Sequence, residues 1–290
     1  MKKILYGIAL ALPLYACGDV SEPAQETPPE APAGVTLSQQ WETGGLRVPE
    51  SVLYQEGTSG GFLFISEIEG DGSLADGKGG IAKMSLGGQI LEQDWVRGLN
   101  APKGMGVHNG KLYVADLHDV AVIDIQNQKI EARIPVADSA FLNDIAIDDA
   151  GVVYVSDTRT NKVHRIINGV AEVYLEDIEK ANGLTSVGSD LYIAAGKALW
   201  KVDADKKLTK IFEGFEENTD GVEMINPGEF IVSCWPGIVY HLNADGELTT
   251  LLDTREQGKN TADIGWNGAD KILYIPTFLK NSVVAYKLSL

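Results

Sequence analysis

From residue 49 onward, apolar and polar residues alternate with a period of two, in short runs broken by polar or glycine-bearing turns. VYVSD at 153–157, LYVAD at 112–116 and LYIAA at 191–195 are examples. They are rich in the β-branched and aromatic residues that suit a pleated, half-buried surface. No stretch of useful length carries the 3.6-residue period of an amphipathic helix.

The pattern repeats. ESVLY at 50, KGMGV at 103, NDIAI at 143, NGLTS at 182, DGVEM at 220 and ADIGW at 262 each open a copy, with spacings of 53, 40, 39, 38 and 42 residues. The first copy is longer because it holds the insert EGDGSLADGKGG at 69–80. A second strand follows in each copy, as in FIVSC at 230–234 and LYIPT at 273–277. Third strands are expected at 120–125, 162–167, 198–202, 237–242 and 282–288, and fourth strands at 129–134, 170–175, 208–212 and 248–252. Four short strands in about 40 residues make one propeller blade. The expectation is therefore an all-β, six-bladed β-propeller of four-stranded blades over residues 36–290. The last copy stops after its third strand, and TLSQQWE at 36–42 supplies the missing one, closing the ring and removing a free edge. A solenoid is the alternative, but it needs end caps that the sequence does not show.

The innermost strand of each blade lines the central channel, so the copy starts are candidates for the channel mouth. The first column through the six copies reads Glu50, Lys103, Asn143, Asn182, Asp220 and Ala262; the second reads Ser51, Gly104, Asp144, Gly183, Gly221 and Asp263. Four first-column positions offer oxygen ligands. His108, His118, His164 and His241 lie in neither column. Convergent carboxylate and amide oxygens suit a hard cation, Ca²⁺ first and Mg²⁺ next, with Mn²⁺ or Zn²⁺ as less fitting occupants. Two carboxylates, Glu50 and Asp220, would neutralise a divalent ion. In any single copy, Asn or Asp before a strand is explained equally well as a turn former.

Composition narrows the functional classes. The chain of 290 residues has a net charge of -17, which repels nucleic-acid backbones. Lys2 and Lys3 precede the apolar run ILYGIALALPL, too short to span a bilayer and the right length for a signal-peptide core. LYAC at 14–17 resembles a bacterial lipobox, which would make residues 1–16 a signal peptide and Cys17 the lipidated first residue. An ordinary secretory signal with an incidental cysteine is the alternative. Gly18 in place of an aspartate points to outer-membrane sorting, facing the periplasm of a bacterial cell envelope. Residues 17–35, proline- and glutamate-rich, read as a disordered tether reaching at most about 50 Å at about 3.1 Å per residue. A lipidated Cys17 leaves Cys234 without a disulfide partner, and Cys234 is expected as a buried strand thiol. A monomer is expected.

The copies NDIAIDDAGVVYVSD from 143, NGL from 182 and DGVE from 220, with Glu50, resemble the gluconolactonase, senescence-marker-protein and luciferin-regenerating-enzyme family over residues 49–290. The resemblance implies a six-bladed propeller with one divalent metal in the channel, and lactone hydrolysis in several members. It assigns Glu50, Asn182 and Asp220 as metal ligands, Asn143 to substrate or metal-bound water, and Asp220 also as general base. Family members commonly carry an arginine two places before Asn143. Phe141 stands there instead, and Lys103 is a substitute cation for substrate binding. LNAPKGMGV at 99–107, KGGIAKMSL at 78–86 and PTFLKNSVVAY at 276–286 resemble a bacterial branch of the same superfamily.

Two other motifs do not carry chemistry. GTSGG at 57–61 matches a nucleophile elbow, but it joins two predicted strands and so is a hairpin loop. GSLADGKG at 72–79 nearly matches a phosphate loop, but Gly79 replaces the required hydroxyl residue and no helix follows. It reads as a flexible loop lying over one channel mouth, where Asp71 and Asp76 either add a calcium contact or simply form the turn. The functional expectation is a lipid-anchored, metal-dependent hydrolase of small lactones or esters. The alternative is a non-catalytic envelope propeller that binds a ligand or partner, a reading favoured by Phe141 and Trp266 near the mouth.

Overall fold

The computed structural model describes residues 34–57 and 60–290; the signal segment, Cys17 and most of the tether lie outside the described residues. Gly34–Leu290 forms one compact unit. Its strands group into six sheets of four strands each. The third blade shows the plan: Leu142–Ile147, Val153–Asp157, Lys162–Ile167 and Val170–Leu175 pair antiparallel in sequence order, innermost to outermost. The other innermost strands are Pro49–Gln55, Pro102–His108, Ala181–Val187, Thr219–Asn226 and Gly265–Asn267. The sixth blade takes its outermost strand, Thr36–Gly44, from the start of the unit, where it pairs antiparallel with Ser282–Ser289. The expected all-β, six-bladed propeller and its closing strand are thus what the chain forms.

Local chemistry explains the elements. Asn109–Gly110 and Asn168–Gly169 make two-residue hairpin turns with φ of 48° and 74°, and of 52° and 76°. Only such turns match the right-handed strand twist at that loop length. The GTSGG loop joins Pro49–Gln55 to Phe62–Glu67, which pair antiparallel as a hairpin; Ser59 itself lies outside the described residues.

Each gap between neighbouring blades has its own apolar cluster. Val120 and Ile134 of the second blade pack with Ile145, Val155 and Ile166 of the third. Phe64 and Trp95 of the first pack with Leu112 and Ile123 of the second. Burying one such side chain contributes about 1.5–3 kcal/mol, so these interblade clusters are the main force holding the ring. Cys234 is buried in the cluster between blades four and five, as expected, and has no disulfide partner among the described residues. Among the described residues no helix is long and apolar enough to cross a membrane.

Candidate functional site in the channel mouth

Five innermost strands shift register at the two column positions: between Pro49 and Ser51, Pro102 and Met105, Leu142 and Ile145, Ala181 and Leu184, and Thr219 and Val222. A bulge opens the ladder locally and re-aims the side chains at that point. The freed backbone N–H groups are met by buried serines of the second strands. Ser51 N, Asp144 N and Gly221 N donate to the Oγ atoms of Ser66, Ser156 and Ser233, each at 2.9 Å. The sixth blade differs. Its short innermost strand begins at Gly265, and Ala262–Ile264 instead run parallel to the first blade, with Asp263 N donating to Glu50 O at 3.0 Å.

Five of the six first-column side chains, all but Ala262, meet in one cavity of about 290 Å³. Glu50, Lys103, Asn143, Asn182 and Asp220 line it together with Ile68, Gly72, Phe141, Trp235 and Phe278. Glu50, Lys103, Phe141, Asn143, Asn182 and Asp220 are therefore brought together at this mouth. Glu50, Lys103, Asn143 and Asp220 are buried and Asn182 is half-buried. Asn182 Nδ2 donates to Asp220 Oδ1 at 2.9 Å and to Thr219 O at 3.2 Å, and Asn143 Nδ2 donates to Thr158 Oγ1 at 3.1 Å. With their nitrogens engaged, the two amides have their oxygens left for a ligand. Glu50 Oε2 is buried with no hydrogen-bond partner, an unusual and costly state for a carboxylate oxygen.

The second column narrows the channel below. A Cβ on Gly104 would lie 2.0 Å from Asp144 Oδ1, and one on Gly221 would lie 2.6 Å from Asp263 Oδ1. Glycine is required there because each aspartate crosses over the neighbouring blade. Asp144 then accepts from Leu184 N of the fourth blade at 2.6 Å, and Asp263 from Ser51 Oγ of the first blade at 2.5 Å. Further along the innermost strands, Asp144, Asp263, Glu223, Thr185 and Ser186 line a second cavity of about 200 Å³.

So many acids at one axis perturb one another. Burial, reinforced by the charges of Asp220 and Asp263, pushes Glu50 well above the usual carboxylate range. Burial, then Asp263, raises Asp220 to about 7 against the Asn182 hydrogen bond. Burial raises Asp263 to about 7, and burial with the charge of Asp263 raises Glu223 to about 8.

Loops set the walls. Asp157, at the end of its strand, accepts from Ala140 N at 2.8 Å and Phe141 N at 3.0 Å, fixing Phe141 at the rim. Asp116 does the same for Asn100 N and Ala101 N beside Lys103. The insert reaches the mouth as expected: Gly72 lines the cavity, and its carbonyl accepts from Lys103 Nζ at 3.4 Å. Asp71 is committed to the turn through Ser73 N and Oγ, and Asp76 through Lys78 N. Gly79 and Gly80 belong to the strand that follows the loop.

Trp266 is a correction. It packs into the cluster between blades five and six with Ile264 and Leu273. The indole at the mouth is Trp235, edge-on to Phe278 with ring centroids 5.5 Å apart. The sequence reading missed Trp235, Phe278, Ile68 and Arg159, whose guanidinium lies 4.4 Å from the Phe141 ring centroid. An arginine near Phe141 could have been sought in the loop after VYVSD, one hairpin away from the position where it was missed.

No known protein-family profile matches the chain, and no curated protein matches its sequence. Solved structures do match in fold. A protein named as a candidate gluconolactonase superposes with a TM-score of 0.64 at 16% identity, covering 89% of this chain and 93% of its own. A streptogramin B lyase gives 0.64 at 10% identity, with 88% and 98% covered. A catalytically inactive virginiamycin B lyase from Staphylococcus aureus, solved with quinupristin, gives 0.60 at 12%, with 88% and 100% covered. The shared property at these identities is the propeller.

Proposed function

We propose that the channel mouth is the site of a hydrolase acting on small lactones or esters. The observation that carries this reading is the unpartnered, buried Glu50 Oε2 in a cavity that Asn143, Asn182 and Asp220 also line. A carboxylate oxygen held in that state is a ligand-binding atom or an unexplained cost.

The residues fit a divalent cation, Ca²⁺ first. Glu50, Asn182 and Asp220 offer hard oxygen donors, two of them acidic; burial first, then Asp220 and Asp263 for Glu50 and Asp263 for Asp220, raises both acids. The set relies on an amide; among the described residues, no cluster of three or more His, Cys, Asp or Glu side chains is placed to hold a metal. Such a cation supplies Lewis-acid charge for the carbonyl oxygen of the substrate. The chain does the rest. Asp220 would take a proton from the attacking water through a carboxylate oxygen left free of the cation, and Asn182 fixes its orientation. Asn143 hydrogen-bonds the polar end of the substrate. Lys103 offers an amine N–H beside it. Ile68, Phe141, Trp235 and Phe278 enclose an apolar substituent and exclude water.

The virginiamycin lyase variant with a histidine replaced by alanine is catalytically inactive. No residue lining the present cavity is a histidine, which favours hydrolysis over a histidine-dependent elimination. A propeller that binds without chemistry is the second reading, supported by those same apolar walls. We place the domain at the outer-membrane surface of a bacterial envelope through Cys17, on the sequence pattern alone.

The test is turnover of a panel of aryl and alkyl lactones with Ca²⁺ or EDTA, alongside Asp220→Asn. The expected outcome is Ca²⁺-dependent hydrolysis that falls at least about 100-fold in the variant, while Ca²⁺ still raises the melting temperature of the wild type. No turnover, together with no thermal response to Ca²⁺ or EDTA, overturns the reading.

A further inference from the structure

Lys103 is unusual among the cations of this acidic protein. It is buried, yet no carboxylate oxygen pairs with it among the described residues, where half-buried lysines such as Lys111 and Lys201 do find one. Its Nζ donates to the carbonyl oxygens of Ala101 at 3.1 Å and Gly72 at 3.4 Å, and lies 4.2 Å from the Phe141 ring centroid. Arg159 faces the same ring. These contacts are all neutral, and none requires an ammonium. The amine also lines the cavity, where Ile68, Phe141, Trp235 and Phe278 form the apolar part of a wall completed by Glu50, Asn143, Asn182 and Asp220.

We propose that Lys103 is a carbonyl-capturing amine, which forms an imine with a small aldehyde or ketone whose apolar aryl or alkyl group fills the cavity. This does not depend on the hydrolase reading. The nitrogen lone pair forms a C–N bond to the carbonyl carbon, and the C=O π pair moves to oxygen. A proton passes from nitrogen to oxygen through solvent at the mouth, giving a neutral carbinolamine. The C–O bond then breaks as the nitrogen lone pair closes C=N, a second proton leaves nitrogen, and water departs. The net change is amine plus carbonyl to imine plus water, with no oxidant or cofactor.

The electrostatics agree with the geometry. Burial pulls the Lys103 amine below its ordinary pKa, with Arg159 of the third blade adding to the effect and Glu50 of the first and Asp116 of its own blade opposing it. An apolar pocket beside a second cation is the setting in which lysine acts as a nucleophile.

The experiment treats the full chain with benzaldehyde and sodium cyanoborohydride at neutral pH in EDTA, then maps adducts by peptide mass. A benzyl group should build up on Lys103 faster than on exposed Lys129, because a lowered pKa leaves more free amine at neutral pH. The rate at Lys103 should also reach its plateau at a lower pH. Labelling in proportion to exposure, or none at Lys103, overturns the proposal. Because the readout is mass and EDTA is present, failure here leaves lactone turnover to be judged separately, and the converse holds.

Discussion

Asp263 shows what one buried charge does to the stability of this ring. Its carboxyl titrates at about 7, mainly because burial disfavours the anion. The unfolded chain releases that proton near the ordinary aspartate value, so between about pH 4 and 7 the folded state binds more protons than the unfolded. The contribution of this group to stability is highest below that window and falls as pH rises through it. Asp220 and Glu223 act in the same sense. Asparagine in place of Asp263 can keep both hydrogen bonds, accepting from Ile264 N and donating to Ser51 Oγ, and carries no charge. Asp263→Asn should therefore gain about 1–2 kcal/mol at pH 8 and nothing at pH 4, or roughly 2–4 °C per kcal/mol in melting temperature measured in EDTA. An equal shift at both pH values would show that charge is not the cause. At this scale the sequence was legible where the repeats align: Glu50, Asn143, Asn182 and Asp220 could be read down a column because the blades repeat. Trp235 and Phe278 could not. They stand on turns between strands, where reach depends on loop geometry rather than on period, and the choice of Trp266 failed for that reason.

At the scale of the strand, the column residues reach the channel because bulges lift them out of the ladder. The bulges persist because second-strand serines satisfy the N–H groups that they free. The sequence shows those serines plainly, in FIS, YVS and IVS. Their partners were hidden, since a bulge adds a residue without disturbing the period-two pattern on either side. Ser156 Oγ accepts only from Asp144 N, whereas Ser233 Oγ also donates to Ala262 O at 2.8 Å, tying the fifth blade to the sixth. Ser156→Ala should cost about 1–2 kcal/mol, the range for one orphaned buried N–H. Ser233→Ala should cost more, about 2–3 kcal/mol, because it also strands a carbonyl. Urea unfolding of the two variants measures the difference. Equal losses would mean that the interblade bond is replaced by water.

At the scale of the molecule, a propeller is stable only as a closed ring, and Thr36–Gly44 is the closure. Its pairing with Ser282–Ser289 completes the sixth blade, and its side chains reach the first. Trp41 Nε1 donates to Leu86 O at 2.9 Å, Thr43 Oγ1 donates to Gly88 O at 2.7 Å, and the Trp41 ring lies tilted against Tyr274 with centroids 5.9 Å apart. One strand therefore joins the first and last blades, and TLSQQWE is legible as that strand from the repeat alone, because the final copy is one strand short. Without it, Ser282–Ser289 becomes an open edge whose Val283, Val284, Ala285 and Leu288 are core residues. Such an edge is a template for pairing with another chain. The compact unit begins at Gly34, so a chain started there should melt like the full-length protein. A chain started at Gly45 should lose more than about 10 °C, since a strand of this size removes several kcal/mol of burial, and should self-associate in light scattering. Adding back a peptide of residues 34–44 should restore both. If the shortened chain instead stays monomeric with an unchanged melt, the interblade clusters hold the ring alone and the terminal strand is only a cover.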